Sequence, residues 1–134
     1  EKKTLHNEIM YEWSATRSDT LLITGHTHQP VFASLTHLER LYKQLQKAIA
    51  AGDNDQKSKL ETEIRLRESE FTTVSVDYLQ MKPSYFNTGF CCFADGDITG
   101  IEIENGYIRL VKWSSRQEGL RMVLEERSLK SLKV

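Results

Sequence analysis

The hydrophobic repeat of this 134-residue chain changes period near residue 72, and that change limits the possible folds more than any other feature. Before it, Leu38, Leu41, Leu45 and Ile49 recur at the three- and four-residue spacing that lines one face of a helix. Thr36-x-x-Glu39 ahead of them has the form of a capping box. Gly52 can end that helix, and Asp53 or Asn54 can cap a second one, predicted over about residues 56–71 with Leu60, Ile64 and Phe71 on its apolar side. Glu39/Lys43, Glu61/Arg65 and Glu63/Arg67 are favourable i,i+4 pairs on these helices. After residue 72 the period becomes two. Val74, Val76 and Tyr78 alternate, residues 85–93 are rich in aromatics, and Ile98–Glu104 alternates again. Asn105-Gly106 is the strongest hairpin signal in the chain, because both residues tolerate the positive φ of a tight turn. Residues 107–113 lead back from it, with Ile108 and Leu110 on one face, and residues 119–127 are predicted as a last strand. The pattern predicts a helical hairpin over 35–71 followed by an antiparallel meander, with a loose tail after Lys130.

The first 34 residues have a third character. Leu5, Ile9 and Trp13, with Met10 beside them, predict a helix over 4–16 with an apolar stripe. His6 lies one position off that stripe and reads as a flanking surface residue. The run Leu21-Leu22-Ile23 does not alternate, which predicts a strand over 20–24 covered on both faces. Residues 31–34 could form a short second strand. Helix, buried strand, then a loop is the rhythm of an α/β protein, whose ligands gather beyond the carboxyl ends of its strands. Hydrophobic residues make up 39% and charged residues 28%, the balance of an ordinary soluble domain. A net charge of −1 does not suggest nucleic acid or an anionic membrane as a partner, and no apolar run approaches a membrane span. The hairpin itself carries seven basic and seven acidic residues, a solvated mixed-charge element.

Chemistry concentrates in Gly25-His26-Thr27-His28-Gln29-Pro30. In extended backbone, side chains two apart share a face, so His26 and His28 can reach one site from one short stretch. Neutral imidazole is the commonest side-chain metal ligand. Gly25 permits close backbone approach, and Pro30 keeps Gln29 extended. The only cysteines, Cys91 and Cys92, are adjacent, which suits neither a mutual bridge nor a structural zinc site. Reduced thiols fit a cytoplasmic setting. Asp95-x-Asp97-x-Thr99-Gly100 begins like a calcium loop, but its twelfth position is Gly106 and its flanks read as strands.

Gly25-His26-Thr27-His28 resembles the last metal-binding motif of the calcineurin-like metallophosphoesterases, Gly-His-x-His, and the following proline is common in bacterial members. Tyr85-Phe86-Asn87-Thr88-Gly89 looks like the Asn-Pro-Gly-Ser segment that comes after it, with Thr88 where proline is usual and Phe90 where serine is usual. The resemblance implies the C-terminal part of a four-layer α/β sandwich, occupying 1–34 and 72–134, with 35–71 as a helical insertion. It also implies hydrolysis of phosphate esters at a centre of two divalent metals (Mn, Fe or Zn), in which a metal-bound hydroxide attacks phosphorus. His26 would ligate one metal and His28 the other. Gly25, Thr27, Gln29 and Asn87 would support them structurally.

The family's Asp-x-His, bridging Gly-Asp and Gly-Asn-His motifs all precede Gly-His-x-His, and only 25 residues precede His26 here. Gly52-Asp53 and Gly96-Asp97 fall after the histidines, in predicted turns. Together with Glu1 as the first residue, this leads to the expectation of a C-terminal fragment, inactive until partnered with an N-terminal half of the same protein. The alternative is a non-catalytic module that dimerises through the 35–71 hairpin.

Overall fold

The computed structural model describes residues 2–25, 29–68, 79–89, 97–114 and 119–133. Among them are three α-helices, α1 (Lys2–Ala15), α2 (His37–Ala51) and α3 (Asn54–Arg67). Five strands complete the set: β1 (Leu22–Thr24), β2 (Tyr85–Asn87), β3 (Ile98–Glu104), β4 (Tyr107–Ser114) and β5 (Leu120–Ser128). The architecture is mixed α+β, with a parallel β1–β2 pair and an antiparallel β3–β4–β5 meander. The predicted strand around Val74–Tyr78, and Phe90, Cys91, Cys92 and Phe93, lie outside the described residues.

The meander follows its local signals. Asn105 (φ 51°) and Gly106 (φ 79°) form the turn between β3 and β4, and Ile103 pairs with Ile108. Ile108 and Leu110 are fully buried on the inner face, against Phe86 of β2 and Phe32. The Phe32 and Phe86 rings meet edge to face with centroids 5.2 Å apart, the arrangement their quadrupoles favour. A bulge opposite Leu110/Val111 shifts the β4–β5 register. On the outer face, Arg109 Nε pairs with Glu126 at 2.5 Å and Arg121 pairs with Glu102. Residues 129–131 are not loose as expected. They form a 3-10 turn that brings Leu132 into the core beside Leu129 and the inner face of β4, so apolar burial overrides the terminal position.

Helices α2 and α3 close on a cluster of their own: Leu38, Leu41, Ala48, Leu60 and Ile64, with Tyr42 and Leu45 at its edge. The caps at Thr36, Gly52 and Asp53 read as their sequence suggests. Thr36 Oγ1 accepts from Glu39 N while Glu39 Oε1 accepts from Thr36 N. Gly52 ends α2 in the left-handed region, and Asp53 Oδ1 accepts from Gln56 N to begin α3. Capping engages the Glu39 carboxylate that the i,i+4 pattern assigned to Lys43. Glu63 pairs with Arg67 at 2.9 Å as expected, whereas Arg65 reaches Thr62. The root of α2 is tied to the body by Arg40, buried between Leu35 O (Nη1, 2.6 Å) and Glu125 (Nε to Oε2, 3.6 Å).

His37 sits at the first turn of α2 with Arg40, Glu63 and Arg67 around it. Burial, then the two guanidiniums, hold its pKa below the ordinary 6.5, although Glu63 lies 3.8 Å away. The contact to Glu63 is long and solvent-screened, so desolvation and the arginines win. The unfolded state therefore takes up this proton first as pH falls. Stability from neutral His37 is present above the unfolded value and lost as pH drops through the folded one. Between about pH 7.5 and about pH 5, wild type should lose more urea resistance than His37→Gln, and equal losses would exclude His37 as the source.

Three expectations for the first 35 residues are corrected. Helix α1 spans the predicted segment, but its apolar stripe points outward: Leu5, Ile9 and Trp13 are 56%, 51% and 45% exposed. The inward face is polar, with Asn7, Tyr11 and Ser14 at the same helical spacing. Tyr11 Oη accepts from Lys82 N (2.9 Å), and Ser14 Oγ meets Ser84 Oγ (2.8 Å). Lys82 Nζ donates to Arg17 O (2.6 Å) and Ala15 O (3.4 Å), closing the helix's carbonyl end with a cation. His6 is half-buried, and its Nε2 has no hydrogen-bond partner among the described residues. Strand β1 is not covered on both faces by the described residues, since Ile23 is 40% exposed. Residues 31–34 do not form a strand. Phe32 and Leu35 exchange backbone hydrogen bonds around a tight turn with Ala33 (φ 51°) and Ser34 (φ 70°) in the left-handed region.

Candidate functional site

Strands β1 and β2 run parallel, so their carboxyl ends open at one edge of the sheet. Chain connectivity then places the two ends of the histidine motif. Strand β1 ends at Thr24, whose carbonyl accepts from Thr88 N (2.9 Å) on the β1 side of β2. The chain returns at Val31 on the other side of β2, where Val31 and Asn87 exchange backbone hydrogen bonds (3.0 and 2.9 Å). The connection from Gly25 to Pro30 thus has its two ends on opposite edges of one strand, and both ends touch the Thr88-Gly89 turn. A Cβ on Gly25 would lie 3.2 Å from Thr88 Oγ1, and one on Gly89 would lie 3.2 Å from Pro30 Cδ. His26, Thr27 and His28 lie outside the described residues. Gln29 is half-buried and Pro30 buried.

Asn87 is fully buried at the centre of this arrangement. Gly89 N donates to its Oδ1 at 2.9 Å, which fixes the orientation of the amide, since a backbone N–H can only face the oxygen. The Nδ2 group then points the other way, to Thr24 Oγ1 (3.1 Å), Tyr85 Oη (3.0 Å) and Gly25 O (3.4 Å). Tyr85 Oη in turn donates to Asn7 Oδ1 on α1 at 2.7 Å. Thr24 Oγ1 and Tyr85 Oη are 3.2 Å apart and complete the network. Burial pushes the Tyr85 phenol up from its ordinary value, against the pull of its Thr24 and Asn87 hydrogen bonds, so it stays a neutral donor.

The family resemblance implies supporting roles for Gly25, Gln29 and Asn87, and the fold brings Gly25 and Asn87 together across 62 residues of chain. It does not single out Tyr85 or Asn7. Tyr85 reads as a core aromatic, and it is one by burial. The overlooked signal is its hydroxyl, because a tyrosine inside a buried strand needs a hydrogen-bond partner. Asn7 gives no signal in isolation.

Neither decoy aspartate is available as a metal bridge at this edge. Asp53 caps α3 at the hairpin tip, and Asp97 pairs with Lys112 Nζ at 3.0 Å. Among the described residues no group of three or more histidine, cysteine, aspartate or glutamate side chains could hold a metal ion. Two imidazoles alone supply too few ligands for a hard divalent ion, and the described residues add no cluster that would complete a dinuclear centre. Among the described residues no helix is long and apolar enough to cross a membrane. No family model, curated protein or solved structure matches the chain.

Proposed function

We propose that this chain is the C-terminal part of a metal-dependent phosphoesterase of the calcineurin-like kind. His26 and His28 are ligands in a two-metal centre whose carboxylates come from a preceding segment of the same protein. The observation that carries this reading is the Asn87 amide. It joins the carbonyl of Gly25, where the Gly-His-x-His motif begins, to the amide of Gly89, where the Asn-x-Gly segment ends. The two segments were singled out separately in the sequence, and one buried side chain holds them together. The parallel strand ends beneath them are the usual seat of a ligand site in such sheets. The described layers, α1 over β1–β2 over the meander, are compatible with part of a four-layer sandwich. The 35–71 hairpin is then an insertion rooted next to the site.

The test is metal-dependent hydrolysis of a generic phosphomonoester or diester by the full-length protein. His26→Ala and His28→Ala should each lower kcat/KM by about a hundredfold or more, since changes even behind the ligands of a metal cost about 10–100-fold. Wild-type rates in both variants would overturn the assignment. The residues of this chain alone should show no such activity. Pairing of two copies through the hairpin is the weaker reading. Exposed Ile49 and Leu66 favour it, but the closed Leu38–Ile64 cluster leaves little for a partner to cover. An unchanged mass in solution after removal of 36–71 would exclude it.

A further inference from the structure

The network around Asn87 does not stop at the sheet. It passes through the Tyr85 hydroxyl to Asn7 on α1, so the edge that carries the histidine motif is bonded to a helix on the face of the sheet. This is an unusual use of a helix. Its inward face is built from Asn7, Tyr11 and Ser14, whereas an apolar stripe of matching spacing faces out. Apolar packing alone would turn the helix the other way. Two of the inward contacts, Tyr11 to Lys82 N and Ser14 to Ser84, meet the chain just before β2. Only the Asn7 contact leads to the carboxyl edge.

The directions of the hydrogen bonds are set by chemistry. Gly89 N fixes the Asn87 oxygen, so Asn87 must donate toward Tyr85 and Thr24. A phenol has one proton, and the 2.7 Å contact places it on Asn7 Oδ1. Tyr85 Oη is therefore an acceptor for Asn87 and a donor to Asn7. Removing the Tyr85 hydroxyl takes from the Asn87 amide one of the contacts that aim it at Gly25 O, and removing Asn7 takes from that hydroxyl its shortest contact and frees it to turn toward Thr24 Oγ1.

We propose that Tyr85 and Asn7 are positioning residues for Gly25, where the histidine motif starts, and for Gly89 beside it: the Asn7–Tyr85–Asn87 relay holds Gly25 O and Gly89 N in register with α1. Resting on the reading of His26 and His28 as metal ligands, the relay acts on the described residue from which that motif starts, Gly25. It touches no substrate.

Tyr85→Phe tests this with the ring retained. In the full-length protein, amide hydrogen exchange at Gly89, whose N–H is held by the Asn87 side chain, should quicken by about tenfold, the scale of one lost buried hydrogen bond. Asn7→Leu should do the same, and Asn7→Asp, which keeps the acceptor, should restore slow exchange. Ser14→Ala is the control for a structural effect, since it removes a buried contact of the same helix without touching the relay. It should leave exchange at Gly89 unchanged. In the enzyme, Tyr85→Phe should lower kcat by about fivefold to tenfold with KM within about twofold, the scale of one lost hydrogen bond acting through Asn87. Exchange in Tyr85→Phe and Asn7→Leu matching wild type would overturn the relay, whatever the activity. If wild type hydrolyses no phosphoester, or His26→Ala and His28→Ala leave the rate intact, the phosphoesterase reading falls, and the exchange experiment still decides the relay.

Discussion

Gly89→Ala should cost about 2–5 kcal/mol, far more than Gly106→Ala, although both glycines have φ +79°. A left-handed backbone alone costs an alanine about 1–2 kcal/mol, and this is all that Gly106→Ala should show, because nothing lies within 4 Å of its new Cβ. At Gly89 the same atom would stand 2.7 Å from Thr99 Oγ1 and 3.2 Å from both Pro30 N and Cδ. The threonine cannot swing away without breaking its 2.7 Å hydrogen bond to Thr88 O, and Pro30 is backbone and ring. Overpacking of this kind adds about 1–3 kcal/mol. Urea denaturation of the two variants side by side measures the difference. Equal losses would show that the Thr88-Gly89 turn is not closely packed against the histidine connection.

Phe86→Ala should cost about 3–5 kcal/mol and loosen the whole body, because the ring is fully buried between Phe32, Ile108 and Leu110. Leu60→Ala removes a comparably buried side chain, at about 2–5 kcal/mol, but from the other cluster. Its effect should stay in α2 and α3. Hydrogen exchange read by segment separates the two: Phe86→Ala should expose β3–β5 amides, and Leu60→Ala should expose the hairpin while the meander stays protected. If Leu60→Ala also opened the meander, the two clusters would be one cooperative unit, joined through Arg40 and Glu125.

The parts legible in the sequence are those whose cause is local. Asn105-Gly106 needs only its own two residues to turn. The Thr36/Glu39 box, Gly52 and Asp53 fix the helix ends within a few residues of themselves. Ile98–Glu104 was readable as a strand because alternation is a property of the strand alone. What the sequence concealed depends on neighbours. Leu5, Ile9 and Trp13 define a stripe at helical spacing, but spacing does not say which way a stripe faces, and hydrogen bonds to Tyr85, Lys82 and Ser84 turn this one outward. The apolar composition of Leu21-Leu22-Ile23 suggested cover on both faces, yet a three-residue strand with one described neighbour leaves Ile23 half in water. Residues 31–34 have strand-like composition, and the need to leave β2 and enter α2 bends them into a turn. At the candidate site the same division holds. The His-x-His spacing was visible as a motif, and Asn87 came into view only through the family resemblance. The Tyr85–Asn7 connection was not, because its two residues are 78 positions apart and neither carries a motif at that point.

The hairpin's separate cluster has a consequence for how such a chain can vary. Residues 49–56, around the tip at Gly52 and Asp53, are exposed, while the anchoring contacts of Leu35, Thr36 and Arg40 gather at the root. Helix length is therefore nearly a free parameter: about seven residues added to each arm restore the same facing after two turns, and the sheet below registers no change. Reach can be altered without retuning the edge of the sheet where the histidine motif begins. The hairpin is in that sense an adjustable arm on a fixed base, open to lengthening, shortening or a grafted tip while the sheet edge beneath it stays as it is.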